Sequence, residues 1–334
     1  MTPAVTARRP ATPALADIQA PVRDRLELVA RDLQRIVAAE FPLIDEVNGH
    51  LLLMKGKMFR PTLTLLASAV AERPEPRAVT LAAVVELVHL ATLVHDDSVD
   101  HSALRRGMPT INALFSHQVS VIMGDFLYSR AVVELVRGGD LEVLGVLADA
   151  TNAMTVGEMR QLTSLDALRF SEEDYEALIR AKTASLLSAA CAIGALAGAR
   201  EHRAALARYG ERLGMAFQVA DDLLDYTSEE SVTGKPGGLD LREHKVTLPL
   251  IHALRGLGGP ARREVDALFE DAEPDDARIA RVIEIVAERG GLDYARERGL
   301  EYAREAEAAL AELPDSAATA SLRDAIAYAL DRSQ

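Results

Sequence analysis

Six aspartates bound the chemistry open to this chain. Asp96-Asp97-Ser98-Val99-Asp100 and Asp221-Asp222-Leu223-Leu224-Asp225 repeat one spacing, i, i+1, i+4, once in each half. Each follows an uncharged, largely apolar stretch, Leu87 to His95 and Leu213 to Ala220. On a helix the i and i+4 carboxylates share a face and repel. One such cluster can be a solvated helix end; two lining one cavity call for divalent cations. Oxygen ligands with no His/Cys set suit a hard ion, and the Asp/Asn/Gly spacing of an EF-hand is absent. Mg²⁺ held jointly by carboxylates and a phosphorylated ligand fits best. The cations supply the complementary half: Lys57 and Arg60 flank Met58-Phe59, Arg105 and Arg106 follow the first motif, Lys182 precedes Thr183, and Lys235 and Lys245 follow the second. Arg grips phosphate bidentately and Lys acts as a point charge. Any one of them alone reads as an ordinary surface charge; their placement beside the acidic motifs is what makes them candidates.

Helices must carry these groups. Taking the first as Thr80 to about Asp100, His89, Asp96 and Asp100 fall within about 40° of one another, with Thr92 on nearly the same stripe. Leu87, Leu90, Leu93 and Val94 occupy the other faces and require a core. A polar stripe on a buried helix must line something polar. In the second helix Asp221 and Asp225 share a face, and Gln218 lies on the same side. Helical periodicity recurs along the chain, strand alternation of useful length does not, and breakers separate the helices: Pro74 and Pro76, Gly138-Gly139, Gly234 to Gly238, Gly256 to Pro260, and Gly290-Gly291. Ser171-Glu172-Glu173-Asp174 predicts a capping box. The expected architecture is all-α: residues 1–15 as a flexible tail and residues 16–334 as one large helical bundle around a central cavity.

Composition narrows the function further. Among 334 residues 49% are apolar, enough for a sizeable core, and the net charge of −14 opposes general binding to nucleic acid or anionic lipid. The single Cys191 excludes an internal disulfide framework and suits a reducing cytoplasm. No secretory signal is visible in the Ala/Pro/Thr-rich start. The run Thr183 to Ala199 lacks charge but is short for a membrane span, so it predicts a buried core helix.

At this point the residues resemble the trans-isoprenyl diphosphate synthase family, from about residue 25 onward. The carrying segments are Glu86 to His89, His95 to Asp100, Arg105 to Thr110, Gly124 to Leu127, Gly157 to Leu162, Lys182 to Ala184, Phe217 to Asp225, Gly234 to Pro236 and Asp240 to Pro249. Ser98 and His101 stand where apolar and acidic residues are common, and Met58-Phe59 replaces a more polar pair; no key charge is affected.

The resemblance implies an isoprenoid synthase bundle that joins isopentenyl diphosphate head-to-tail to an allylic diphosphate. It implies Mg²⁺, three ions with the substrate diphosphate, held by Asp96, Asp100 and Asp221 with Asp97, Asp222 and Asp225 supporting. Arg105, Lys182 and Lys235 would hold the leaving diphosphate. Lys57, Arg60, His89 and Arg106 would hold isopentenyl diphosphate. Thr183 and Gln218 would steady the allylic cation; Lys245 is either a further substrate ligand or structural. Ala91 and Thr92, five and four residues before Asp96, would let the pocket continue, giving products of about C20 or longer and more specifically about C30–C40, as in quinone side chains. Met123, Leu127 and Met154 are candidates for the floor. A cytoplasmic homodimer touching membranes only transiently, to release product, completes the expectation. Rival readings are a geranylgeranyl diphosphate synthase, a class I terpene cyclase, a non-catalytic subunit of a heteromeric synthase, and an HD-type phosphohydrolase suggested by His95-Asp96.

Overall fold

Helices account for nearly all regular structure in the computed structural model, which describes residues 12–54, 56–105, 107–163, 167–227 and 237–331. They are α1 (Leu15–Gln19), α2 (Arg23–Val37), α3 (Pro42–Leu53), α4 (Phe59–Ala69), α5 (Ala78–Val99), α6 (Ile111–Leu114), α7 (His117–Gly138) and α8 (Leu141–Thr163). Then come α9 (Glu172–Ile179), a π-helical segment (Arg180–Ala184), α10 (Ser185–Leu196), α11 (Arg203–Thr227), α12 (Leu239–Arg242) and α13 (Leu248–Leu254). The last are α14 (Gly259–Glu270), α15 (Asp276–Glu288), α16 (Gly291–Leu310) and α17 (Ala317–Leu330). A two-stranded antiparallel hairpin, β1 (Leu104–Arg105) and β2 (Met108–Pro109), follows the first acidic motif. At the start of the described residues, Leu15 opens α1, Ile18 is buried, and the Thr12 hydroxyl donates to Asp331.

Local chemistry places the ends. Ser171 accepts from the Asp174 amide while Asp174 accepts from the Ser171 amide, the expected capping box. Ser116 and Ser316 cap α7 and α17 in the same N-terminal manner. Gly139, at φ +70°, ends α7 in the left-handed conformation that favours glycine.

α5 is apolar nearly all round, so it is enclosed: Leu81, Val84, Val85, Leu87, Val88, Ala91 and Val94 are all buried. It packs with α2, α4, α7 and α10 in the larger core. A second core joins α9, the distal part of α11 and the helices α13 to α16. The spans Ala78–Val99 and Glu172–Leu196 are long and apolar enough to cross a membrane, but 61% and 56% of their most apolar windows are buried inside the bundle. Cys191 is fully buried on α10. The crossing of α11 over the π-helical segment is close: a Cβ on Gly214 would lie 2.5 Å from Cα of Ala184, so only glycine permits this approach.

Candidate active site

The two acidic motifs end α5 and α11, at the mouths of two cavities that share one side chain. The first cavity, about 550 Å³, is lined by Val88, Ala91, Thr92 and Asp96 from α5, by Asp125 and Tyr128 from α7, and by Met154 and Glu158 from α8, with Lys182. The second, about 520 Å³, is lined by Lys182, Thr183, Gln218, Asp222, Asp240 and Lys245 among others. Lys182 belongs to both because the π-helical segment carries it between α8 and α11. Such a local widening turns successive side chains onto faces an α-helix would separate. Lys245, beyond the second motif, feels the charge of Asp100 in the first. The two motifs therefore face one region.

Within the first motif the three carboxylates part ways. Asp96 is half-buried in the first cavity, and its pKa rises to about 6: burial is the main cause, Lys182 opposes it, and Glu158 and Asp100 add to it. Asp100 is exposed at the end of α5. Asp97 is buried and turned away: Arg105 Nε lies 2.8 and 2.9 Å from its two oxygens, and Nη2 lies 2.8 Å from one. Asp97 thus anchors Arg105 and the hairpin, where the sequence suggested a supporting metal ligand. His95 lies with Nε2 3.4 Å from Asp125, its ring so close to Gly124 that a Cβ there would overlap it. Ser98, the departure noted in the sequence, is buried and bonds His117 Nδ1 at 2.8 Å.

The second motif divides in the same way. Asp221 is exposed. Asp222 is buried, accepting from the Tyr175 hydroxyl at 2.6 Å and from Gln218 Nε2 at 2.9 Å. Both its oxygens accept hydrogen bonds inside the protein. Gln218 Oε1 in turn accepts from Thr183 Oγ1 at 2.8 Å. Burial pushes Asp222 up to about 7, with Asp240 adding to the shift. Asp225 accepts from the backbone amides of Leu239 and Asp240 at 3.0 and 3.1 Å, tying the start of α12 to the end of α11. Asp240 is raised to about 7 by burial and then by Asp225.

Among the cations, Lys182 lies 2.6 Å from Glu158 and 3.1 Å from Gln161. Lys245 lies 2.6 Å from Glu243; burial lowers its pKa, but Glu243, Asp240 and Asp100 raise it further. Lys57 is exposed, its ammonium 5.6 Å from the centre of the Tyr328 ring, and Arg60 sits in the first turn of α4. His89 lies about two turns before Asp96 on the same face of α5, where its carbonyl accepts from the Thr92 hydroxyl. Arg106, Lys235 and the rest of the Gly234–Pro236 loop lie outside the described residues.

Ala91 and Thr92 line the first cavity, as does Met154. Met123 and Leu127 do not; they are buried in the core against the other side of α7. The sequence reading also gave no role to Tyr175, Glu158, Gln161 or Asp240. Glu158 and Gln161 stand at i and i+3 on α8, a visible spacing, but that Lys182 is their partner depends on packing. Tyr175 carried no signal at all.

Among the described residues, no three His, Cys, Asp or Glu side chains converge into a ready metal cage. The donors nevertheless fit a hard divalent cation. Asp96 and Asp240 are carboxylates whose ionised forms are disfavoured by burial and by neighbouring acids, and a cation shared with a phosphorylated substrate would relieve both.

Comparison with known proteins places the whole chain. The chain is 38% identical over 299 residues to an octaprenyl diphosphate synthase of Escherichia coli, covering 87% of this chain and 92% of that one. It is 38% identical over 320 residues to an all-trans-nonaprenyl-diphosphate synthase of Rhodobacter capsulatus, covering 95% and 98%. A crystal structure of a polyprenyl synthase from Caulobacter crescentus, complexed with calcium and isoprenyl diphosphate, superposes with a TM-score of 0.90 at 33% identity over 98% of this chain and all of the other. The polyprenyl synthetase profile matches residues 41–286, and the chain belongs to that family.

Proposed function

We propose that this chain is a long-chain trans-polyprenyl diphosphate synthase, adding isopentenyl diphosphate head-to-tail to an allylic diphosphate. The observation that carries the reading is the joining of two acidic walls through Lys182, above a cavity whose α5 wall is lined by the small side chains Ala91 and Thr92. The identity to octaprenyl and nonaprenyl synthases supports a product at or beyond the upper end of the length read from the sequence.

In this reading Asp96, Asp100, Asp221, Asp225 and Asp240 would hold Mg²⁺ together with the allylic diphosphate, while Asp97 and Asp222 position Arg105 and Gln218. The metal supplies charge neutralisation of the leaving diphosphate. Lys182 exchanges Glu158 for the departing phosphate, and Arg105 and Lys235 assist. Lys57, Arg60, His89 and Arg106 orient isopentenyl diphosphate, with Lys245 as a further cation at the mouth. The carbonyl oxygen of Gln218 and the Thr183 hydroxyl face the developing allylic cation, where fixed dipoles are worth more than in water. The released diphosphate, an anion formed beside the reacting carbon, takes the proton. The growing chain descends past Ala91 and Thr92.

The enzyme acts as a cytoplasmic homodimer. Ile122, Val133 and Val136 lie on an exposed stripe along α7, with Val121 and Tyr128 beside it, and exposed apolar side chains grouped on one helix face favour a second copy over water. Product leaves through transient membrane contact. Incubation with Mg²⁺, farnesyl diphosphate and labelled isopentenyl diphosphate tests the reading. Long linear prenyl diphosphates are expected; free phosphate, cyclic hydrocarbon or no turnover would refute it.

A further inference from the structure

Tyr175, on α9, is almost fully buried, yet its hydroxyl is aimed at the carboxylate of Asp222 at 2.6 Å. From there the hydrogen bonds run in one direction: Gln218 Nε2 donates to Asp222, and Thr183 Oγ1 donates to Gln218 Oε1. A glutamine amide has two nearly isosteric ends of opposite polarity, and rotation about its last torsion exchanges them. One orientation turns a carbonyl oxygen toward the cation site. The other would turn two N–H donors there and oppose the developing positive charge. Thr183 alone does not decide, because a hydroxyl donates as readily as it accepts. Asp222 does decide by its geometry, since one of its oxygens accepts from Gln218 Nε2 while the other accepts from the Tyr175 hydroxyl.

Resting on the prenyltransferase reading above, we propose that Tyr175 and Asp222 form an amide clamp that holds the carbonyl end of Gln218 toward the reacting allylic group. Asp222, a member of the acidic motif, is then a positioning residue for charge stabilisation, and Tyr175 is its partner from another helix. Neither touches substrate; both act through Gln218. The clamp also gives the buried Asp222 carboxylate two hydrogen-bond donors, where an unpaired carboxylate is costly.

Two allylic diphosphate analogues of equal length separate this role from general structural support: one carries an ammonium centre at the position of the cation, and the other is an uncharged-chain thiolodiphosphate. Binding of each with Mg²⁺ is measured by calorimetry on the full-length protein and on Tyr175→Phe. The ammonium analogue is expected to weaken by about tenfold or more while the thiolodiphosphate changes by less than about twofold, because only the former reads the Gln218 dipole. In turnover, kcat should fall roughly 10- to 100-fold with the KM for isopentenyl diphosphate nearly unchanged. Tyr175→Phe combined with Gln218→Leu should be no slower than Gln218→Leu alone. Equal weakening of both analogues, no weakening of either, or multiplicative loss in the double variant overturns the clamp. If Tyr175→Phe does not fold, Asp222→Leu, an apolar replacement at a buried position, gives the same ratio. Failure of the unaltered protein to bind either analogue sinks the prenyltransferase reading itself and the clamp with it; a failure confined to the ratio sinks the clamp alone.

Discussion

Gly214→Ala tests whether the crossing of α11 over the π-helical segment sets the geometry of the site. The new Cβ would sit 2.5 Å from Cα and 2.8 Å from Cβ of Ala184, and 3.2 Å from Cδ1 of Leu187. Non-bonded carbons rest at about 3.5–4.0 Å, so the two segments must part by roughly 1 Å. Overpacking of this kind costs about 1–3 kcal/mol of stability. The catalytic cost is separate. Thr183 immediately precedes Ala184, and its 2.8 Å bond to Gln218 would stretch beyond hydrogen-bonding reach. A misplacement of about 1 Å costs on the order of 10²-fold in rate. Gly145→Ala is the control: it lies on α8 with nothing within 4 Å of its Cβ, and alanine there should add about 0.5–1 kcal/mol. The assay is single-turnover extension of farnesyl diphosphate with labelled isopentenyl diphosphate, alongside thermal unfolding. A Gly214→Ala enzyme with the original rate and the original Tm would refute the argument that this contact aligns the site.

Three further outcomes are expected. Ala91→Phe places a ring in the wall of the first cavity and should shorten the product; an unchanged length distribution defeats the idea that the chain passes this point. Mg²⁺ affinity in the presence of inorganic diphosphate should hold above about pH 7 and fall as pH drops through the raised pKa values of Asp240, about 7, and Asp96, about 6, because protons compete for those oxygens. Affinity that persists to pH 4–5, near the ordinary carboxylate range, would show that neither group binds the ion. Ile122→Glu combined with Val136→Glu charges the exposed α7 stripe and should leave a folded monomer in sedimentation; an unaffected dimer places the interface elsewhere.

The all-helical architecture was readable because the signals are local. The Ser171 capping box, the glycine end of α7 and the apolar circumference of α5 each follow from a few neighbouring residues. The His89, Asp96 and Asp100 stripe follows from helical geometry alone. The small residues Ala91 and Thr92 line a cavity, whereas Met123 and Leu127 are buried in the core. Periodicity locates a helix face but not which neighbour covers it.

By itself the order of residues supplied two i, i+1, i+4 acid sets with Lys182 between them, which survive any packing. Only the tertiary structure decided what each member does. Asp96 and Asp97 are adjacent in the chain, yet one lines a cavity and the other is enclosed by Arg105; Asp221 and Asp222 separate in the same way. The reason is geometric. Successive side chains on a helix diverge by about 100°, so neighbours in one motif meet different helices. The partner waiting there, Arg105 on the hairpin or Tyr175 on α9, is brought in by long-range packing that no local spacing encodes.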